Sequence, residues 1–292
     1  MNKIKILAIS LSLVTSLSAQ VRYADFKIHD RGELWETMKD NGTIGAPNPT
    51  NRLENYPSLD WPGGPNTMNK DDQRSYSAGS GMWIGGKRND GSIFFTENGP
   101  FNFVDNGTFE EIVKTDNFLG SPSYNPAEAE QIITAKWKTS ENISVERNSR
   151  VWSFPQLNNF IICEYIITNQ NTTPVTDVYA GFPNLIRPSY QDFVVHNGWG
   201  DDFNRTDEFV SYDSTRSMMY SWDDTPNFSI PNDVGNFWEA AGELRTTGYA
   251  GLSFLYADPA SDSRPQPSNV FWAQLLNNES FFTIQSSNAQ SL

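Results

Sequence analysis

The chain has 292 residues, with 21 Lys+Arg against 35 Asp+Glu, two His and one Cys, for a formal net charge of −14. A chain of this length buries enough apolar surface to fold without staples, and a single Cys excludes an internal disulfide, a Cys-rich zinc module and an Fe–S site. The acidic balance repels phosphate backbones and argues against nucleic acid as a partner, and any metal would be held mainly by oxygen ligands.

At the start, Lys3 and Lys5 precede an apolar run over residues 6–17, and Ser16-Leu17-Ser18-Ala19-Gln20 offers small residues for cleavage. Residues 1–19 therefore read as a secretory signal peptide, with an apolar run too short to span a bilayer. Losing Lys3 and Lys5 removes two positive charges and takes the net charge from −14 to −16. With no later run long enough to span, the expected product is a secreted protein, extracellular or on the outer cell surface, with no membrane span in the mature chain.

Residues 20–80 are rich in Pro, Gly and Asn, as in Ala46-Pro47-Asn48-Pro49 and Trp61-Pro62-Gly63-Gly64-Pro65, and are expected to form an irregular lead-in. One short helix is expected there, over about residues 31–41. Asp30 would cap it, Glu33 completes a capping box, Leu34, Trp35 and Met38 form an apolar face, and Asn41-Gly42 stops it.

From residue 81 onward the chain reads as strand and turn, with a turn signal every ten residues or so. Residues 82–85 and 92–95 flank Lys87-Arg88-Asn89-Asp90-Gly91, whose Asp-Gly step predicts a hairpin. Ile133, Ala135 and Trp137 alternate with Thr134, Lys136 and Lys138, so that strand is half buried, and residues 143–147 alternate in the same way. Residues 160–167 are apolar on both faces except for Glu164, which predicts a central strand covered on both sides. Further strands are expected over 175–182, 218–222, 249–256, 270–276 and 281–285. Many short strands without alternating helices predict an all-β fold, an antiparallel β-sandwich spanning residues 81–292. A chain that stops just after a strand reads as part of a longer polypeptide.

Several residues invite chemistry. Asp201, Asp202, Asn204, Asp207, Glu208 and Asp213 gather oxygen ligands on one loop and strand start, which suits Ca2+, although the spacing is not that of an EF-hand and a solvated acidic loop has the same composition. Glu164 is the acid most constrained by its surroundings. It is a candidate catalytic carboxylate if a second acid faces it, or one half of an ion pair with a Lys or Arg of the neighbouring strand. Trp61, Trp199 and Trp238 lie in loop contexts where an indole can face a sugar, whereas Trp137, Trp152 and Trp272 sit in strand contexts that read as core. His29 and His196 each stand alone in the sequence, and no Ser or Cys occupies a nucleophile elbow, so no hydrolase triad is indicated. Cys163 sits in an apolar run that raises a thiol pKa and reads as an inert core residue.

The motifs Asn41-Gly42-Thr43-Ile44-Gly45, Leu59-Asp60-Trp61-Pro62-Gly63-Gly64, Ser80-Gly81-Met82-Trp83-Ile84-Gly85-Gly86 and Trp152-Ser153-Phe154-Pro155, followed by residues 160–169, occur in an order spread over nearly the whole mature chain. In this the sequence resembles the N-terminal region of large exported proteins of Bacteroidetes-like and Marinimicrobia-like bacteria, many of which end in a type IX secretion sorting domain. The resemblance implies export to the surface or medium and no particular reaction. The chain departs from that pattern after Tyr179-Ala180-Gly181-Phe182, where Pro183-Asn184-Leu185-Ile186-Arg187 stands in place of an Asp-x-Asp pair. The functional expectation is a secreted or cell-surface structural or binding module that needs no cofactor, with polysaccharide or a surface protein as partner. An extracellular carbohydrate-active enzyme on the same scaffold is the alternative.

Overall fold

The structure is a computed structural model that describes residues 25–45, 56–63, 76–98, 107–122, 124–186, 208–223, 249–258 and 267. Among the described residues the chain is all-β, with strands in five antiparallel groups and no helix. The largest is a four-stranded sheet in the order β6 (Thr108–Asp116), β7 (Gln131–Lys138), β8 (Ile143–Val151), β9 (Ile162–Asn169). Neighbouring strands are joined in sequence order, so each pairing is local.

In β7 and β8 the side chains alternate between buried and half-buried along the whole length, as the period-2 pattern requires. Ile133, Ala135, Trp137, Ile143 and Val145 are almost wholly buried and face inward, while Lys136 and Glu146 lie outward and form an ion pair at 3.4 Å. Each large apolar side chain buried in this way contributes about 1.5–3 kcal/mol.

A second sheet has the order β10 (Thr176–Gly181), β4 (Met82–Lys87), β5 (Ile93–Asn98). The β4–β5 hairpin closes where the sequence placed it, with Gly91 at φ +83° and the Arg88 N–H donating to Ser92 O at 2.9 Å. Met82, Ile84 and Phe94 of this sheet join Ile112, Ile133, Ala135, Trp137, Ile143 and Val145 of the four-stranded sheet in one hydrophobic cluster.

Residues 31–41 do not form the expected helix. Residues 31–33 are bends, and β2 (Glu36–Lys39) pairs antiparallel with β1 (Phe26–His29). The residues expected to cap a helix are engaged elsewhere. Asp30 accepts from Lys114 Nζ at 2.8 Å and from Gln131 Nε2 at 2.7 Å, the Glu33 N–H donates to Asn158 O at 2.8 Å, and Trp35 exchanges two backbone bonds with Asp60. A helix of about ten residues is marginal by itself, so these long-range bonds override the local propensity. Met38 then enters the shared core at 1% exposure. Asn41-Gly42 serves as a tight turn instead of a helix stop. Gly42 has φ +85°, and a Cβ there would lie 2.5 Å from the Trp137 ring.

Single bridges run from Met38 to Ile44 and from Ile44 to Ser80, linking the β1–β2 hairpin to β3 (Ser77–Ser80), which pairs with β11 (Asn184–Ile186). The strand expected at mid-sheet is also corrected. Among the described residues β9 pairs with β8 alone, and Ile166 and Ile167 are 49% and 39% exposed. The last group is β12 (Glu208–Asp213), β13 (Met218–Asp223) and β14 (Ala250–Ser253), in that order. The strands expected over 270–276 and 281–285 lie outside the described residues.

Candidate binding face and a buried histidine network

Of the residues singled out from sequence, Glu164 sits on the outward face of β9 and accepts from Arg150 Nη2 of β8 at 3.0 Å. Its side chain is 52% exposed, so the burial expected for a catalytic acid is not there, while the cross-strand cation is. Trp61 is 36% exposed, and its indole N–H donates to Asn159 Oδ1 at 2.8 Å. Asp213 closes the β12–β13 hairpin. It accepts from the Thr215 N–H at 2.9 Å and the Arg216 N–H at 3.2 Å and pairs with the Arg216 guanidinium, which is the main cause of its lowered carboxyl pKa. Asp213 is therefore committed to the turn. Trp199, Trp238, His196, Asp201, Asp202, Asn204 and Asp207 lie outside the described residues. Cys163, half-buried on β9, has its thiol pushed up to about 11 by burial, which fits an inert core residue.

His29, alone in the sequence, has partners 102 and 120 residues away. Its Nδ1 lies 3.1 Å from Gln131 Oε1 and its Nε2 lies 2.8 Å from Ser149 Oγ. The orientation of Gln131 is fixed by its neighbours. Its amide nitrogen donates to Asp30 at 2.7 Å and to Asp116 at 2.9 Å, and its oxygen accepts from the Asp30 N–H at 3.0 Å. Nδ1 of the imidazole must then carry the proton and donate to that oxygen, which leaves Nε2 as an acceptor facing the Ser149 hydroxyl, whose single proton is shared between Nε2 and the Ile133 carbonyl at 3.0 Å.

The Ser–His–Gln order resembles the connectivity of a catalytic triad, but Ser149 and His29 are both at 0% exposure. A hydroxyl with no route to substrate holds the fold together and has no role as a nucleophile. Burial pushes the His29 pKa down to about 3, outweighing the Gln131 bond, and the nearby Arg147 and Lys114 push the same way. Asp30 is held below the usual carboxylate range even though burial alone would raise it, because Lys114 and Gln131 both hydrogen-bond to it. Arg147, also at 0% exposure, donates to Gly42 O at 3.0 Å and to Lys39 O at 3.1 Å, tying the tight turn to β8.

On the β12–β14 sheet three aromatic side chains come together. The β13–β14 register pairs Ser221 with Ala250 and Tyr220 with Gly251, so Trp222 and Tyr249 meet across the strands. Their ring centroids are 6.0 Å apart and the planes differ by 26°. Tyr220, two residues before Trp222 on the same face, lies 5.5 Å from Trp222 and 6.2 Å from Tyr249. Tyr249 is 65% exposed. Gly251 stands opposite Tyr220, and a Cβ there would come within 2.5 Å of Met219 O and 2.9 Å of Tyr220 Cβ, so the sheet floor stays bare beside the rings.

Sequence reading placed Tyr220, Trp222 and Tyr249 in the strands expected over 218–222 and 249–256 and did not assign them to a shared binding face. The signal that could have found them is the spacing Tyr220-Ser221-Trp222, which puts two aromatics on one face of a strand. Comparison with protein-family models, curated proteins and solved structures finds no match for this chain.

Proposed function

We propose that the chain is a secreted or cell-surface binding module, non-catalytic, that engages its ligand through the Tyr220–Trp222–Tyr249 face. The observation that carries this reading is the clustering of three aromatic rings within 6.2 Å of one another on a sheet face where Tyr249 is 65% exposed. Aromatic side chains combine large apolar area with low conformational entropy, which makes them effective anchors for a ligand. The scaffold is taken to be a β-sandwich. Sheets β6–β9 and β10-β4-β5 would form its two layers, a reading supported by the single cluster their inward side chains share.

Glu164 is given no catalytic role in this reading, since its partner is a cation on the adjacent strand and it faces outward. Calcium, if bound, would have to use the acids over residues 201–207, because Asp213 is held by the hairpin turn. Export rests on the leader read at residues 1–19.

The test is a thermal-shift screen on residues 20–292 with polysaccharides and with calcium followed by chelator. A ligand that binds the native state raises the apparent melting temperature by mass action. The expected outcome is a rise with at least one polysaccharide that disappears in Trp222→Ala. A rise of equal size in wild type and Trp222→Ala would remove the assignment of the face.

A further inference from the structure

We infer that β9 is a pairing edge and that its partner is β9 of a second copy of this chain, set antiparallel about a two-fold axis through Ile166. A sheet edge presents unpaired main-chain N–H and C=O groups, which a bulge, charges, a proline or a covering element ordinarily blunt. The four-stranded sheet is blunted at one edge only. At β6 the register shifts between Phe109 and Glu111, the strand carries Glu110, Glu111, Lys114 and Asp116, and Lys114 Nζ donates to Ile28 O of β1 at 2.8 Å. By contrast, β9 keeps an unbroken register with β8, has no proline, and holds one charged residue, Glu164, which Arg150 already pairs.

The ladder identifies the free groups. The Gln170 N–H donates to Asn142 O at 3.0 Å, extending the β8–β9 pairing by one step. Residues that bond the same neighbour alternate in an antiparallel ladder, so the even-numbered residues of β9 bond β8 and the main chain of Cys163, Tyr165, Ile167 and Asn169 points outward from the edge. Among the described residues none of these groups meets a main-chain partner. The side chains beside them are also uncovered. Ile167 shares the inward face of Cys163 and Tyr165 but is 39% exposed, and Ile166 on the other face is 49% exposed. The edge strand of the second sheet, β10, leaves Val178 43% exposed.

A row of alternating donors and acceptors flanked by aliphatic side chains is matched by another extended strand, a period that a sugar or a lipid lacks. This edge is its own complement. The axis sets Ile166 against Ile166 of the second copy, Tyr165 against its Ile167, Cys163 against its Asn169 and Glu164 against its Thr168. The outward main-chain groups of the two edges then bond each other, and no like charges face. An axis through Glu164 would set two carboxylates together, and one through Tyr165 would set Glu164 against Ile166. Asp177 of β10 is likewise paired already, with Lys87 at 2.8 Å, so the edge meets its copy with its acids neutralised.

Sedimentation velocity on the chain from residue 20, over about 1 to 100 μM protein, tests this together with engineered variants. Ile166 lies opposite Glu146 of β8, so Ile166→Lys gains a cross-strand partner within the single chain and sets two lysines face to face in the pair. Ile166→Cys brings two copies of the new thiol to a Cα separation of about 4.5 Å across the axis, within disulfide range. Val113→Cys, equally open at 42% exposure but on β6, is the control. The expected result is a concentration-dependent dimer whose dissociation constant rises at least about tenfold in Ile166→Lys, with the β signature of its circular dichroism intact. Oxidation should link Ile166→Cys, and not Val113→Cys, into a covalent dimer. A single species of monomer mass across the whole range would overturn the proposal. So would a dimer equally strong in Ile166→Lys, or one that cross-links through Val113→Cys and not through Ile166→Cys.

Discussion

At the scale of single residues, His29 concentrates the consequences of burial. The ring is neutral, wholly buried and hydrogen-bonded at both nitrogens, and the charged groups nearest it, Arg147 and Lys114 on one side and Asp30 on the other, do not offset its desolvation. Its folded pKa of about 3 lies below the ordinary value of 6.5, so the unfolded chain binds a proton that the native chain refuses. The contribution of His29 is then fully present above pH 6.5 and is lost as the pH falls from 6.5 toward 3. By pH 4 the loss amounts to about 3 kcal/mol. In urea unfolding at pH 7 and pH 4, the stability advantage of wild type over His29→Gln should shrink by about that amount. A constant advantage across the range would mean that the ring is solvated or charged in the native protein. None of this was legible from sequence, because the partners of His29 lie in β7 and β8 and no local pattern announces a pairing over more than a hundred residues.

At the scale of elements, legibility follows how local the deciding interactions are. The β7 and β8 alternation could be read directly, since one face of each strand packs and the other is solvated, and the Asp-Gly turn fixed the β4–β5 hairpin. The expected helix failed because its cap residues are used in tertiary bonds to Lys114, Gln131 and Asn158. The apolar run of β9 suggested burial on both faces, yet among the described residues it is the last strand of its sheet. That position sets the environment of Glu164. An ion pair between partly exposed side chains is worth about 0.2–1 kcal/mol, so Glu164→Gln should cost no more than about 1 kcal/mol in chemical denaturation. A loss of 3 kcal/mol or more would place the carboxylate in a buried network, as in the reading of Glu164 as a constrained acid.

At the scale of the whole molecule, segments remote in sequence converge on one core. The β1–β2 hairpin, drawn from a stretch rich in Pro, Gly and Asn, supplies Met38 to the shared cluster, and Lys114 of β6 donates to Ile28 O at 2.8 Å. The all-β character could be read from turn spacing and strand pattern, whereas this convergence could not, because it depends on which distant strands meet. The binding face has the same origin. Tyr249 reaches Trp222 only through the β13–β14 pairing, which leaves residues 224–248 between two strands that are neighbours in the sheet. The most direct measurement is isothermal titration of wild type and Tyr249→Ala with an oligosaccharide from the polysaccharide that raises the wild-type melting temperature, once the two proteins are checked to melt alike. The expected result is saturable binding by wild type and an affinity about tenfold lower in the variant. Equal affinities for the two proteins would contradict the assignment of this face as the ligand-binding surface.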